Sequence, residues 1–258
     1  MNFKSYNHLK VEVKNQHQLW LYLNQPEKKN AISYEMIDAL VETMWSAEIN
    51  EQIKVIVITG SGDGFCSGGD LQQMQNQSGM FHGDSNELRL RYTAGIQKIP
   101  KTIEDISKPI IAMVNGPAIG AGCDLAMMCD FRMGSEKSVF AESFAKIGLV
   151  SGDGGGYFLI RVVGYAKALK MSLLAEPIKA EEAYQFGLLT EYGSSDHLEA
   201  ITEKFAEKLT QLPSASIQMI KKSLKNAYNH DLNSHLDLVA AYQGISQRTE
   251  DHLNKIKK

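Results

Sequence analysis

Cysteine is scarce in this chain of 258 residues, which contains three, Cys66, Cys123 and Cys129. Their spacing fits neither the framework of a disulfide-rich domain nor the Cys-x-x-Cys arrangement of a zinc site. No cluster of His, Asp and Glu along the sequence has the spacing of metal ligands. We therefore expect a protein of the reducing cytoplasm that holds no metal ion.

Long apolar runs and an excess of basic residues are also missing. No stretch approaches the roughly 18 apolar residues of a membrane span, and residues 1–6 lack the apolar core of a signal peptide. The 27 Lys and Arg residues are outnumbered by 30 Asp and Glu residues, for a net charge of -3. A nucleic-acid backbone is bound by a basic patch, which this balance does not favour. We expect a soluble protein with no membrane and no nucleic-acid partner.

The chain does contain the apolar patterns of a mixed α/β core. Val11–Val13 and Leu19–Leu23 alternate in polarity like half-buried strands, whereas Val55–Ile58 and Pro109–Val114 are continuous runs typical of buried strands. Apolar residues at helical spacing begin after Ser33, a candidate N-cap, and continue to about residue 49. The order strand, glycine-rich turn, helix occurs twice.

Helical spacing dominates the rest of the chain, apart from Met74–Asn86, whose polar residues predict a mobile surface loop. We interpret residues 1–195 as the α/β core and residues 196–258 as a helical region. The predicted helices of this part of the chain are Leu88–Ile106, Val162–Leu174, Ala180–Gly187, His197–Leu212, Ser216–Tyr228 and Leu232–Leu253.

Two glycine-rich segments follow the buried strands. In Gly64–Leu71, small residues let a backbone N–H approach a ligand, and Asn115–Asp124 places a free N–H at the start of a helix, where developing negative charge is favoured. Each segment taken singly is explained better by close packing of a helix against a strand. Two such donors aimed at one point would form an oxyanion hole. Neither segment is a phosphate-binding P-loop, and no Gly-x-Ser-x-Gly hydrolase motif occurs.

In this order, the two segments resemble those of the crotonase (enoyl-CoA hydratase/isomerase) superfamily, and the resemblance runs from about Val11 to Glu250. It implies a spiral of ββα units whose helical C-terminal region helps to form a homotrimer or a dimer of trimers. It also implies an acyl-CoA thioester substrate, of which coenzyme A is a part and not a cofactor. The motifs that carry the resemblance are Pro26–Ala31, Phe65–Leu71, Val114–Ala118, Leu125–Asp130 and Ala180–Leu188.

The resemblance assigns binding roles residue by residue. The N–H groups of Gly69 and Ala121 would form the hole for the thioester carbonyl oxygen. Coenzyme A would be held by Lys28, Ala31, Ser67, Gly68 and Leu71, although lysines in such a loop are commonly just solvated. By this resemblance we expect the apolar and basic tail of the family to be missing after Leu253, and Lys255, Lys257 and Lys258 to replace part of its coenzyme A contacts.

The resemblance also identifies a departure among the acids. Hydratases of this family pair two glutamates; Asp124 stands at the first position and Phe144, which cannot transfer a proton, at the second. Glu142 and Asp153 lie nearby in sequence, and related isomerases carry an aspartate at the place of Gly152. Water addition needs two carboxylates, whereas a proton shift between carbons can use one. Asp124, Asp153 and Glu142 are the candidate catalytic residues, with a helix-face salt bridge as the alternative for Glu142.

Three further polar residues have simpler interpretations. We expect Asp70 to cap the following helix, Asp130 to be structural, and His82 to lie in an exposed loop.

The leading hypothesis is an enoyl-CoA hydratase or isomerase. The alternative, prompted by Phe144, is a non-catalytic acyl-CoA-binding or scaffold protein of the same fold. An RNA-binding function rests on fold analogy alone and has the acidic balance against it.

Overall fold

The computed structural model describes residues 3–257, and its main element is a six-stranded sheet with strand order β1-β2-β3-β4-β6-β9. β1 and β2 pair antiparallel, and every later pair in this sheet is parallel. The six strands are Leu9–Lys14, Gln18–Leu23, Val55–Gly60, Ile110–Val114, Phe131–Ser135 and Glu191–Gly193.

A second, three-stranded sheet has the order β5-β7-β8. β5 is Pro117–Ile119, β7 is Val139–Ala141 and β8 is Ile178–Lys179. β5 was not predicted, because we interpreted its sequence as part of a turn leading into a helix. β8 and β9 were not predicted either, since strands of two or three residues are too short to show an apolar period.

Twelve α-helices surround the sheets in the described chain. Ser33 caps the first of them as predicted, because its side chain accepts a hydrogen bond from the N–H of Met36. The helices α1 to α12 are Tyr34–Glu48, Leu71–Gln75, Ser85–Ala94, Lys98–Asp105, Ala121–Met128, Gly155–Val163, Tyr165–Leu174, Ala180–Gln185, Leu198–Thr210, Ser214–Ala227, Leu232–Ser246 and Glu250–Ile256.

Three of the predicted helices are each two shorter ones. The segment Leu88–Ile106 is broken at Gly95, Val162–Leu174 at Gly164, and Leu232–Leu253 at residues 247–249. Gly164 has a φ of 77°, in the left-handed region that glycine adopts at little cost. The predicted loop Met74–Asn86 contains a short 3-10 helix, Gly79–Phe81, whose Met80 is buried.

Both faces of the main sheet are covered. One face packs on α1, α4 and α5 in the larger apolar cluster, and the other packs on α9 in a smaller cluster that includes Trp20, Val57, Leu198 and Ala206. α9 therefore packs directly on the sheet, while α10 and α11 pack mainly on each other. The division between residues 195 and 196 stays a prediction. No helix within residues 3–257 has the length and apolar character needed to cross a bilayer.

Candidate functional site

The two glycine-rich segments lie side by side. The N–H groups of Phe65 and Cys66 both donate to the carbonyl oxygen of Pro117 at 3.1 Å, and Ile119 N–H donates back to Cys66 at 2.9 Å. Gly68 has a φ of 80°, and a Cβ atom there would lie 2.7 Å from the Ile119 oxygen. Only glycine fits this approach, which brings the two predicted donors to the same place.

A cavity of about 310 Å³ opens where the two segments meet, and both Gly69 and Ala121 line it. Within the described chain, neither N–H group donates a backbone hydrogen bond. Two unpaired N–H groups on one cavity wall can both donate to a single oxyanion. The remaining lining is largely apolar and includes Ile32, Met74, Phe81, Ile96, Phe144 and Leu149.

A wider groove of about 920 Å³ adjoins the cavity and shares Ser67, Gly69, Leu71 and Ile119 with it. Lys28, Ala31, Ser67 and Leu71, four of the five residues predicted to hold coenzyme A, line this groove. Gly68 lines neither the groove nor the cavity. It is buried, and its carbonyl oxygen accepts a hydrogen bond from Ile32 N–H at 2.8 Å.

The three candidate acids lie close together, but at different depths. Asp153 lines the cavity and is 3% exposed, whereas Asp124 on α5 and Glu142 at the end of β7 are buried behind the wall at 0% and 3%. The Ser151 hydroxyl lies 2.9 Å from Asp124 Oδ2 and 2.9 Å from Asp153 Oδ1. It also accepts a hydrogen bond from Gly155 N–H at 2.9 Å.

Burial favours the neutral forms of the two inner acids. Burial first, and then the charges of Asp153 and Glu142, raise the pKa of Asp124 well above its ordinary value. Burial likewise raises the pKa of Glu142 to about 7, although hydrogen bonds with Cys123 and Asp124 act in the opposite direction. The salt bridge considered for Glu142 is not observed, since it forms no ion pair with any residue in the range 3–257.

Phe144 lines the cavity, so the position of the second hydratase acid carries an aromatic ring in the cavity wall. Tyr92 of α3 packs over Gly152, where a Cβ atom would lie 2.5 Å from the tyrosine ring. Gln97 donates from Nε2 to the Gly152 carbonyl oxygen at 2.8 Å. The ring leaves no room for an aspartate side chain at position 152, and the cavity-facing acid is the next residue, Asp153.

Ser151, Tyr92 and Gln97 were not predicted from the sequence. A hydroxyl two residues before Asp153 is the signal that could have identified Ser151. Tyr92 and Gln97 come from a helical region that lies more than 50 residues earlier in the chain, and nothing in their local sequence indicates that they contact the loop of residues 151–153.

The simpler interpretations hold. Asp70 caps α2 by accepting from the N–H groups of Gln72 and Gln73, and Asp130 accepts from Ile110 N–H and forms an ion pair with Lys221 at 2.6 Å. His82 is exposed, as expected. Of the three lysines considered for coenzyme A contacts, Lys255 and Lys257 line neither the cavity nor the groove, and Lys258 lies outside the described residues.

Comparison with known proteins agrees with the resemblance seen in the sequence. The family model described as "Enoyl-CoA hydratase/isomerase" matches residues 15–254. The chain is 30% identical over 232 residues to a 1,2-epoxyphenylacetyl-CoA isomerase of Escherichia coli strain K12, covering 90% of this chain and 87% of that protein. It is 33% identical over 241 residues to a 2,3-dehydroadipyl-CoA hydratase of the same strain, covering 93% and 91%.

Solved structures agree with the predicted crotonase-like fold. An enoyl-CoA hydratase from Polaromonas sp. JS666 matches with a TM-score of 0.88 at 28% identity, over 96% of this chain and 95% of that one. An enoyl-CoA hydratase from Bacillus anthracis, at 24% identity, shows the fold with a TM-score of 0.90 over 97% and 95%. The predicted α/β fold with a helical C-terminal region is therefore confirmed, and the chain belongs to the enoyl-CoA hydratase/isomerase family.

Proposed function

We propose that this protein is an enzyme that binds an enoyl-CoA thioester and moves a double bond along its acyl chain. One observation carries the choice of isomerisation over hydration. Of the acidic residues between residues 3 and 257, Asp153 is the one that lines the cavity, and Phe144 stands at the position of the second hydratase acid. A proton shift between two carbons needs one carboxylate, whereas water addition needs two.

The two parts of the substrate bind in different places, one in the groove and the other in the cavity. Coenzyme A occupies the groove, where Lys28 supplies positive charge for phosphate and Ala31, Ser67 and Leu71 provide the wall. Gly68 contributes indirectly by allowing the two segments to approach. The acyl chain fills the apolar cavity, and coenzyme A enters and leaves as part of the substrate, so that no separate cofactor is required.

The thioester carbonyl lies at the junction, where the N–H groups of Gly69 and Ala121 donate to its oxygen. Removal of a proton from the α-carbon moves the C–H electron pair into the thioester and places negative charge on that oxygen. Both donors then bind a charge that is larger in the transition state than in the substrate, which is the condition for rate acceleration.

Asp153 carries the proton. It takes a proton from the α-carbon of a 3-enoyl chain and returns it to the γ-carbon, so the double bond moves to the 2,3 position and no atom is gained or lost. Asp124 and Glu142, behind the cavity wall, set the charge and orientation of Asp153. All three candidate acids therefore have a part in proton transfer, with Asp153 in direct contact with the substrate.

A panel of 2-enoyl, 3-enoyl and dienoyl CoA esters in deuterated water tests this function, with products identified by mass. We expect isomerised products that carry deuterium, and loss of this activity in Asp153→Asn. Asp196→Asn, an exposed change just before α9 and away from the cavity and the groove, serves as the matched control. A 3-hydroxyacyl product would show hydration instead. Binding of CoA esters without deuterium exchange would favour the non-catalytic scaffold.

We also propose that copies of this chain associate as a homotrimer or a dimer of trimers. Apolar side chains of α10 to α12 are exposed in the single chain, which favours burial against another copy. The unpaired cysteines support a cytoplasmic location, and the helical region from residue 196 onward is the proposed site of association. These side chains are Ile220, Leu224, Leu232, Leu236, Ile245 and Ile256.

A further inference from the structure

The Ser151 hydroxyl makes three polar contacts. Its Oγ atom lies 2.9 Å from Asp124 Oδ2, 2.9 Å from Asp153 Oδ1 and 2.9 Å from the N–H of Gly155. The serine thus joins an acid of the cavity wall to an acid buried behind it. Its position at the start of the loop that carries Asp153 places it outside the lining of the cavity.

The number of protons available to these contacts is limited. A serine hydroxyl donates one hydrogen bond and accepts two, and an ionised carboxylate only accepts. Gly155 N–H fills one acceptor position, and the hydroxyl proton serves one carboxylate. The remaining carboxyl group must donate a proton to Ser151 Oγ, or that 2.9 Å contact would set two oxygen lone pairs against each other. All three contacts are hydrogen bonds when one of the two aspartates is protonated.

The proton belongs on Asp124. This side chain has no exposed surface, and its Oδ1 atom has no hydrogen-bond partner within residues 3–257, so ionisation would leave a buried charge poorly compensated. Burial and the neighbouring charge of Asp153 raise its pKa. The other titratable groups that face this pair are Glu142 from β7, Cys123 from α5, Tyr92 from α3 and Cys66 from the first glycine-rich segment.

We infer that Ser151 is a positioning residue: neutral Asp124 donates to Ser151, Ser151 donates to Asp153 Oδ1, and Asp153 Oδ2 is left to accept the proton of the substrate. This inference rests on the proposed function, because it assigns the atom that acts in that reaction. It also fixes a resting state that is independent of turnover, in which the pair carries one negative charge, on Asp153.

Infrared difference spectra test that resting state without any reaction. The spectra are taken in a Glu142→Gln background, which removes the other acid whose pKa burial raises to about 7. At pH 7 this protein should show the carbonyl band of a protonated carboxyl group, and the band should be missing once Asp124→Asn is added. The Asp153→Asn protein would keep the band if the proton lies on Asp124. A spectrum in which Asp124→Asn removes no such band would overturn the inference even if isomerisation were established. A band present without any deuterium exchange would overturn the proposed function alone.

The pH dependence of kcat/KM with a 3-enoyl-CoA tests the role of the serine. Ser151→Ala should lower kcat by about 10- to 100-fold, as loss of an orienting partner does. It should also move the acid limb to higher pH, since the hydrogen bond that stabilises the charged base is lost. Ser151→Thr keeps the hydroxyl and should restore the position of the limb. Ser46→Ala, whose hydroxyl bonds only to the Glu42 carbonyl oxygen of its own helix, is the matched control.

Asp124→Asn distinguishes a neutral Asp124 from a charged one. An amide can donate to Ser151 as the protonated carboxyl does, so kcat should fall by about tenfold from imperfect geometry, while the acid limb stays in place. A limb that moves to lower pH would mean that the change removed a negative charge beside Asp153, and would overturn the inference. So would a limb that Ser151→Ala leaves unmoved.

Discussion

Ala121 contributes to the proposed hole through its backbone alone, and this makes the hole testable at one residue. Proline at the first position of a helix is compatible with helical geometry but lacks the N–H group. We expect Ala121→Pro to lower kcat for isomerisation by roughly a hundred- to a thousandfold, the usual loss for one oxyanion donor. Ala121→Gly keeps the donor and should stay within a few-fold of wild type. Equal activity of the two variants would remove Ala121 N–H from the mechanism.

Gly155 touches the buried acid directly. A Cβ atom at this position would lie 1.7 Å from Asp124 Oδ1, whereas a Cβ atom at the adjacent Gly156 would meet nothing within 4 Å. Gly155→Ala must displace the Asp124 carboxyl group, and a shift of about 1 Å in such a site costs on the order of a hundredfold in rate. Gly156→Ala lies in the same helix and should keep kcat while raising the free energy of unfolding by about 0.5–1 kcal/mol. A Gly155→Ala protein with normal kcat would contradict the proposed role of Asp124.

Glu142 gives the folded protein a pH-dependent stability. Its pKa is raised from an ordinary 4.5 to about 7, chiefly by burial, so the stabilisation is complete below pH 4.5 and is lost as the pH rises through 7. Glu142→Gln cannot ionise. Relative to this variant, the wild type should therefore lose on the order of 3 kcal/mol of unfolding free energy between these pH values, because each pKa unit corresponds to about 1.4 kcal/mol.

Denaturant titrations at pH 4.5, 6 and 8 measure this difference. Glu181→Gln, on an exposed face of α8, is the control and should show a constant difference from wild type. A constant difference for Glu142→Gln as well would mean that Glu142 has the same pKa in the folded protein as in the unfolded chain.

At the scale of elements, the apolar pattern identified the central strands and α1. Their buried side chains follow one another closely in sequence and therefore form a local pattern. Val55–Ile58 and Pro109–Val114 lie in strands that are buried on both faces, and such strands are continuous in apolarity. The helix breaks were not predictable, since apolar spacing continues across Gly95 and Gly164.

In the candidate site as well, some features can be predicted from local sequence and others depend on contacts between distant segments. Gly69 and Ala121 were predicted from local glycine-rich motifs and Asp153 as one of three acids close together in sequence, and their roles stay predictions. Ser151, Tyr92 and Gln97 matter through contacts that join distant segments, such as the Gln97 bond to Gly152, and a single sequence does not specify such pairs. The depth of an acid is also a tertiary property. Asp124 and Asp153 have equivalent side chains and are both buried, and what separates them is that Asp153 lines the cavity whereas Asp124 lies behind its wall.

The break at Gly95 sets the direction of α4 and thereby the position of Gln97. A Cβ atom at Gly95 would lie 2.6 Å from the Arg91 carbonyl oxygen and 3.0 Å from the Tyr34 ring. We expect Gly95→Ala to lower the free energy of unfolding by about 1–3 kcal/mol, as overpacking does. It should also lower kcat, because Gln97 no longer holds the loop of Asp153. Gly244→Ala, in the last turn of α11 where a Cβ atom would meet nothing within 4 Å, should instead stabilise by about 0.5–1 kcal/mol. Denaturant titration and a kcat measurement check both variants.

At the scale of the whole molecule, two of the exposed apolar regions support the proposed association of copies of this chain. One lies on α10 to α12. The other is Ile147–Val150, where Val150 is 83% exposed, and this segment leads directly into the loop of Ser151 and Asp153. If copies associate through Ile147–Val150, the contact that buries these side chains would also restrain the loop of Ser151 and Asp153, and association would then affect activity.

We therefore expect Leu236→Glu, which places a charge on the exposed face of α11, to shift the mass measured by light scattering from a trimer or hexamer toward a monomer. A charge buried in an apolar interface costs several kcal/mol, which is enough to dissociate an assembly of ordinary affinity. Lys204→Glu, an exposed change on α9 that leaves the apolar residues untouched, should keep the assembly. If the loop of Asp153 depends on the neighbouring copy, kcat of Leu236→Glu should fall on dilution in parallel with the mass. A wild-type protein that remains monomeric at every concentration would contradict the proposed assembly, and a monomeric variant with unchanged kcat would show that the site is complete in a single chain.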